Sequence, residues 1–136
     1  MAKAKSKIFR TTFSTYRSIE IIGEGGSGII YKVNDQLGES FALKLLKKEN
    51  LSNDKLRRFK NEVQFCLSNT HINIIKILDH GTFFDDEDYT PFYVMPFYSS
   101  SLRLLISNKI DHKKILPYYS KILDGIEAAH LKGIFH

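Results

Sequence analysis

The segment GEGGSGIIYKV, residues 23–33, places glycines in the pattern G-x-G-x-x-G directly before a β-branched run. Another β-branched and aromatic run, Tyr16 to Ile22, precedes the glycines, so they join two strands. In a dinucleotide-binding fold the last glycine opens a helix, and a G-x-x-x-x-G-K loop needs a lysine where this chain has Ile29. The segment therefore predicts a glycine-rich β-hairpin. Its backbone N–H groups can approach an anion such as phosphate closely, although an ordinary hairpin turn is the alternative.

A lysine stands inside the next apolar run. Residues 41–46, FALKLL, predict a third strand with Lys44 near its centre. An inward-facing lysine is costly unless it is paired. The helix predicted over Asp54 to Asn69 offers Glu62 beside its apolar stripe. These positions predict a Lys44–Glu62 ion pair that directs the ammonium group toward bound phosphates. The alternative is a lysine that points outward from an edge strand, with a solvated Glu62.

Apolar runs and capping residues predict the remaining elements. Two further strands are expected on either side of an acidic turn, residues 85–88. A short helix and a longer one follow, and Asp111 and Gly133 suit the two ends of the longer one. The expected ranges are 74–78 and 91–95 for the strands, and 102–108 and 111–133 for the helices.

Composition limits the class of protein. The chain has 136 residues, of which 43% are hydrophobic and 26% charged, as in one globular domain or one large fragment. Its single cysteine, Cys66, cannot form an internal disulfide, and neither a membrane span nor a secretory signal is visible. We therefore expect a cytoplasmic chain without membrane contact. The five histidines lack metal-ligand spacing, so no metal site is expected in the chain itself. Lys55, Arg57, Arg58 and Lys60 are interpreted as a solvated helix face, and no nucleic-acid partner is expected.

Taken in order, these segments resemble the N-terminal lobe and hinge of a eukaryotic-type serine/threonine protein kinase. Several short stretches of the sequence are most similar to bacterial members of that family. The resemblance covers Tyr16 to His136 and rests on GEGGSGIIYKV, FALK, HINII, FYVMPF and HLKGIFH. It implies an α+β fold: a five-stranded antiparallel sheet plus one helix, then a hinge and the first two helices of an incomplete helical C-lobe. The implied division is a basic flexible lead-in (1–12), an ATP-binding N-lobe (13–95), a hinge (96–101) and partial C-lobe helices (102–136).

The resemblance also implies which residues bind ATP. Ile22, Ile30 and Ala42 would sandwich the adenine, and Met95 would be the gatekeeper. The phosphates would lie under the glycine loop, near the Lys44–Glu62 pair. The loop residues are Gly23, Glu24, Gly25, Gly26, Ser27 and Gly28.

Hinge residues complete the implied ATP site. Pro96 and Tyr98 would form the hinge, and Pro96 replaces the acidic residue usual in the family. Proline keeps its carbonyl, which is the group that would accept a hydrogen bond from the adenine amine. Ser101 would approach the ribose, with an ordinary helix cap as the equal alternative. In the H-x-N turn, Ile72 departs from the family's proline.

The last residue, His136, aligns with the first position of the family's H-R-D-x-x-x-x-N loop. The resemblance places the catalytic Asp and the Mg²⁺ ligands beyond it, so we expect ATP and Mg²⁺ as cofactors, a protein substrate, and no activity from this chain alone. A lobe of a small-molecule phosphotransferase and a non-catalytic regulatory module remain alternatives. An apolar face on the final helix predicts a missing C-lobe or a partner. That face consists of Ile115, Ile122, Leu123, Ile126 and Leu131.

Overall fold

A computed structural model describes residues 6–86 and 88–135, so residue 87 of the expected acidic turn and His136 lie outside the described residues. The described part contains one antiparallel sheet and three α-helices. The strands are β1 (Ile8–Arg10), β2 (Thr15–Gly25), β3 (Gly28–Asn34), β4 (Ser40–Leu45), β5 (Asp79–Asp85) and β6 (Asp88–Pro96). The helices are α1 (Asn53–Ser68), α2 (Leu102–Ser107) and α3 (His112–Leu131), with a 3₁₀ turn at Lys48–Asn50.

The sheet has six strands within the described ranges, in the order β1-β2-β3-β4-β6-β5, so the expectation of five was wrong. The additional strand, β1, lies in the segment expected to be a flexible lead-in. Its central residue, Phe9, is fully buried and its ring lies 4.8 Å from that of Phe83 and 5.3 Å from that of Phe92. Three residues are too short to show a strand period. The burial of one aromatic side chain against distant strands fixes this segment.

The predicted strand over 74–78 was also wrong. Strand β5 comes directly after that run, and Ile77 instead packs beneath α1, in the apolar cluster between this helix and the sheet. Among the described residues, strand β5 is an edge strand that pairs with β6. Its sequence, DHGTFFD, contains few apolar residues, and half-buried and exposed positions alternate along it. The buried run was mistaken for the strand because burial and strand formation occur in adjacent segments here.

The longest helix, α3, begins directly after its capping residue. Asp111 Oδ1 accepts a hydrogen bond from the Lys113 backbone N–H at 3.0 Å, so α3 begins where the sequence predicted. Pro117 lies inside α3 without ending it. The apolar side chains of α3 that predicted a partner are exposed, and no helix among the described residues is long and apolar enough to span a membrane.

Asp79 joins the two edges of the sheet. Its Oδ2 accepts hydrogen bonds from Thr11 Oγ1 at 2.6 Å and from the Tyr16 hydroxyl at 3.0 Å, and Thr11 directly follows β1. Burial, with the hydrogen bond to Asp79 as the second cause, raises the pKa of Tyr16 to about 12. The unfolded chain loses this proton more easily than the folded chain does. The contribution of the protonated Tyr16 hydroxyl to the free energy of unfolding is therefore complete below about pH 10 and is lost as the pH rises toward 12.

We expect Tyr16→Phe to remove this pH dependence. Two pKa units correspond to roughly 2 kcal/mol or slightly more, so the stability of the wild-type chain relative to Tyr16→Phe should fall by about that amount between pH 9 and 12. Urea unfolding at a series of pH values measures the difference. A constant difference across that range contradicts the assignment.

Candidate functional site

The predicted ion pair between β4 and α1 is present. Lys44 Nζ lies 3.1 Å from Glu62 Oε1 and 3.4 Å from Oε2. The Lys44 side chain is 14% exposed and that of Glu62 is 44% exposed, so the pair sits at the mouth of a cleft rather than in the core. The strand period turns Lys44 toward α1, and the helix period brings Glu62 to the face opposite it.

A tyrosine joins this pair. The Tyr93 hydroxyl donates a hydrogen bond to Glu62 Oε1 at 2.8 Å. Lys44 and Tyr93 are cross-strand partners in β4 and β6, and Lys44 Nζ lies 5.5 Å from the centre of the Tyr93 ring. Burial, followed by the hydrogen bond to Glu62, raises the pKa of the Tyr93 phenol, so the hydroxyl stays protonated and acts as a donor. The three side chains form one connected polar group.

The glycine-rich hairpin lies beside this group. Gly25 pairs with Gly28 at the end of β2 and β3, and Gly26 and Ser27 form the tip. A Cβ on Gly28 would lie 2.5 Å from the Leu45 carbonyl oxygen, whereas a Cβ on Gly25 would meet nothing within 4 Å. Gly28 is therefore required because β3 approaches the backbone of β4 closely.

We expect Gly28→Ala and Gly25→Ala to differ sharply in stability. Gly28→Ala should lower the free energy of unfolding by about 2 kcal/mol, because the backbone of β4 must move to accommodate the methyl group. Gly25→Ala, the matched control, should change it by less than about 1 kcal/mol. Urea unfolding of both variants provides the comparison, and equal effects would mean that the close approach to Leu45 is not a constraint.

A cleft of about 170 Å³ lies between the hairpin tip, β4 and α1. It brings together four residues predicted from the sequence, and four others that were not predicted for the site. The predicted residues are Gly26, Ser27, Lys44 and Glu62, and the others are Leu46, Lys55, Arg58 and Phe59. Three cationic side chains against one carboxylate make the cleft basic, which favours an anionic ligand.

Lys55 and Arg58 are exposed, as expected for a solvated helix face, and they also line the cleft. Positions 55, 58 and 62 follow one another at three- and four-residue spacing, which places them on the same face of α1. Helical spacing from Glu62 is the sequence signal that could have identified both residues.

The residues expected around adenine lie at the other end of β4. Ala42 and Met95 are cross-strand partners and both are buried. Ile30 packs against the same cluster and pairs with Gly23, while Ile22 is exposed. The structure therefore gathers Ile30, Ala42 and Met95 along one region of the sheet.

Other predicted site residues make different contacts. Glu24 forms an ion pair with Lys47 at 2.8 Å, outside the cleft that contains Lys44. Ser101 Oγ accepts a hydrogen bond from the Leu104 backbone N–H at 3.2 Å, so it caps α2 as the alternative predicted. Pro96 ends β6 opposite Phe41, and Tyr98 is exposed just beyond it.

Comparison with known families agrees with this architecture of a sheet, a crossing helix and two following helices. The family model described as the protein kinase domain matches residues 16–136. The chain belongs to the protein kinase family.

Individual relatives are serine/threonine kinases. The chain is 32% identical over 129 residues to a probable serine/threonine-protein kinase of Clostridium perfringens, covering 89% of this chain and 18% of that protein. It is 29% identical over 136 residues to serine/threonine-protein kinase A of Synechocystis, covering 93% and 25%. The predicted similarity to bacterial members is therefore confirmed. The chain spans at most about a quarter of the length of these relatives.

Proposed function

We propose that this chain forms the ATP-binding part of a serine/threonine protein kinase, which transfers the γ-phosphoryl group of ATP to hydroxyl groups of proteins. The observation that supports the proposal is the position of Lys44, held by Glu62 at 3.1 Å in a basic cleft beside a glycine-rich hairpin. A cytoplasmic location, where ATP is available, belongs to the same proposal.

The chemistry of the cleft fits a triphosphate. Lys44 presents an ammonium group with three N–H donors, and Glu62 orients it by occupying part of its hydrogen-bonding capacity. Lys55 and Arg58 add positive charge on the α1 side, while Gly26 and Ser27 bring the hairpin tip to the opposite side.

The adenine would lie beyond the phosphates, along β4 and β6. Ala42 and Met95 supply an apolar surface with a small side chain on β4, and Ile30 adjoins them from β3. The backbone carbonyl of Pro96 would accept a hydrogen bond from the adenine amine, because proline lacks the backbone N–H but keeps the carbonyl. Ile22, Gly23 and Tyr98 would border this end of the site. Ser101 would approach the ribose; its hydroxyl accepts the capping hydrogen bond of α2 and keeps its O–H donor.

Magnesium would arrive with the nucleotide, where it neutralises phosphate charge. Glu62 is engaged by both Lys44 and Tyr93, and the described residues contain no group of three or more His, Cys, Asp or Glu that could hold a metal ion. The residues of this chain therefore bind and orient the nucleotide, while protein ligands for the metal would come from other residues.

We propose that the 136 residues by themselves have no phosphoryl-transfer activity. Their sequence contains no complete H-R-D-x-x-x-x-N segment and no D-F-G segment. In protein kinases these segments supply the Asp that accepts the proton of the substrate hydroxyl and the ligands of Mg²⁺. We propose that this chain alone holds ATP without transferring its phosphoryl group.

Two measurements on the chain test the proposal. Titration calorimetry with ATP and Mg²⁺ should give saturable binding, and a radiolabel-transfer assay with a general protein acceptor should give no product. The absence of saturation up to millimolar ATP contradicts ATP binding. Phosphorylation that depends on Mg²⁺ and disappears in Lys44→Ala contradicts inactivity of the chain alone.

A further inference from the structure

Tyr93 carries a buried polar group that the proposed ATP site does not by itself require. Its side chain is 3% exposed, lies in β6 and stacks at a tilt on Phe59 of α1, with ring centres 5.4 Å apart. The ring is fixed between the sheet and the helix, and its hydroxyl reaches Glu62 Oε1 at 2.8 Å. A rigid donor is thus aimed at the carboxylate from the core side.

Glu62 needs such support because its contact with Lys44 is partly open to water. Ion pairs with an exposed partner contribute little stability, since solvent screens the charges and two long side chains must be ordered. The hydrogen bond from Tyr93 is charge-assisted and formed by a buried donor with few accessible rotamers. The same oxygen, Oε1, accepts hydrogen bonds from Lys44 and from Tyr93, so fixing it fixes the direction of the ammonium group.

We propose that Tyr93 is a positioning residue: its hydroxyl holds Glu62, and with it helix α1, against the sheet before nucleotide binds, so that Lys44 points into the cleft. The role of Tyr93 in nucleotide binding rests on the proposed function. Its role in keeping α1 against the sheet does not depend on that function.

Tyr93→Phe tests this role because it removes the hydroxyl and leaves the ring packed on Phe59. Tyr16→Phe is the matched control, since it also removes a buried tyrosine hydroxyl that donates to a carboxylate, at 3.0 Å from Asp79. That hydrogen bond lies away from the cleft. The comparison therefore separates a local effect on Lys44 from a general loss of stability.

The first readout uses no nucleotide. Amide hydrogen exchange followed by mass spectrometry compares α1 with strand β3 in the wild-type chain and in both variants. Loss of a hydrogen bond to a charged group should raise exchange in α1 about 10-fold relative to β3 in Tyr93→Phe. No such relative increase is expected in Tyr16→Phe.

The second readout is the ratio of ATP affinity to adenosine affinity, measured by calorimetry. Tyr93→Phe should weaken ATP binding roughly 5-fold with adenosine binding unchanged, since part of a charge-assisted hydrogen bond is lost. In a Lys44→Met background the same substitution should have no further effect on ATP, because the group it positions is gone.

An unchanged ATP-to-adenosine ratio in Tyr93→Phe overturns the positioning role, whatever happens to stability. A wild-type chain that binds no ATP contradicts the proposed function instead. In that case hydrogen exchange alone tests whether the Tyr93 hydroxyl keeps α1 against the sheet. Equal protection of α1 in Tyr93→Phe and Tyr16→Phe contradicts this role.

Discussion

Substitution of Lys44 by methionine should lower the affinity of this chain for ATP by roughly 30-fold or more, since hydrogen bonds to charged groups contribute about 1.5–3 kcal/mol each. Adenosine affinity should change less than about 2-fold, because no phosphate is present to lose a contact. The fold should persist, since methionine fills much of the same volume and Lys44 is already largely buried.

Lys76→Met is the matched control for loss of one positive charge. Lys76 is exposed and lies in the connection between α1 and β5, outside the residues that line the cleft. If both variants bind ATP equally well, the cleft beside the hairpin is not the phosphate site. Calorimetry at two salt concentrations separates the local contact from the general effect of net charge.

Phe9→Ala should destabilise the chain by about 3–5 kcal/mol, the usual cost of removing a fully buried phenylalanine. Phe9 belongs to the same buried cluster as Tyr31, Leu43 and Val94, which lie on three different strands. Its loss would leave a cavity in this buried cluster, because close-packed neighbours fill such a space only in part.

Phe13→Ala provides the control, three residues after the end of β1. Phe13 is 89% exposed, so its truncation should change the free energy of unfolding by less than about 0.5 kcal/mol. Urea unfolding of both variants measures the difference. A similarly small effect of both substitutions would contradict the role of Phe9 in the buried cluster.

The family resemblance and the local elements near the cleft were predictable because they depend on short-range pattern. Runs of β-branched, aromatic and apolar residues predict β2, β3 and β4, the three- and four-residue spacing predicts α1, and the glycines predict the hairpin. The Lys44–Glu62 pair was predicted because an inward-facing lysine without a partner is costly, and because Glu62 lies beside the apolar stripe of α1. The assignments of Ile22, Gly23, Pro96 and Tyr98 to the ATP site came from the resemblance, and they stay predictions.

Other features depend on contacts between residues far apart in the chain. Strand β1 depends on its pairing with β2 and on the burial of Phe9 against β5 and β6, and β5 depends on its pairing with β6. The register between β4 and β6 places Tyr93 opposite Lys44, which no local pattern reveals. A shift of one residue would turn the Tyr93 side chain to the other face of the sheet.

The sequence by itself therefore determined the kind of fold and the Lys44–Glu62 pair, because propensity and periodicity act within a few residues and a lysine inside an apolar run requires a partner. The tertiary structure alone decided the sixth strand and placed Tyr93 as the third member of the polar group. These depend on strand register and on side-chain packing across the sheet, which are set by the collective burial of residues from all parts of the chain.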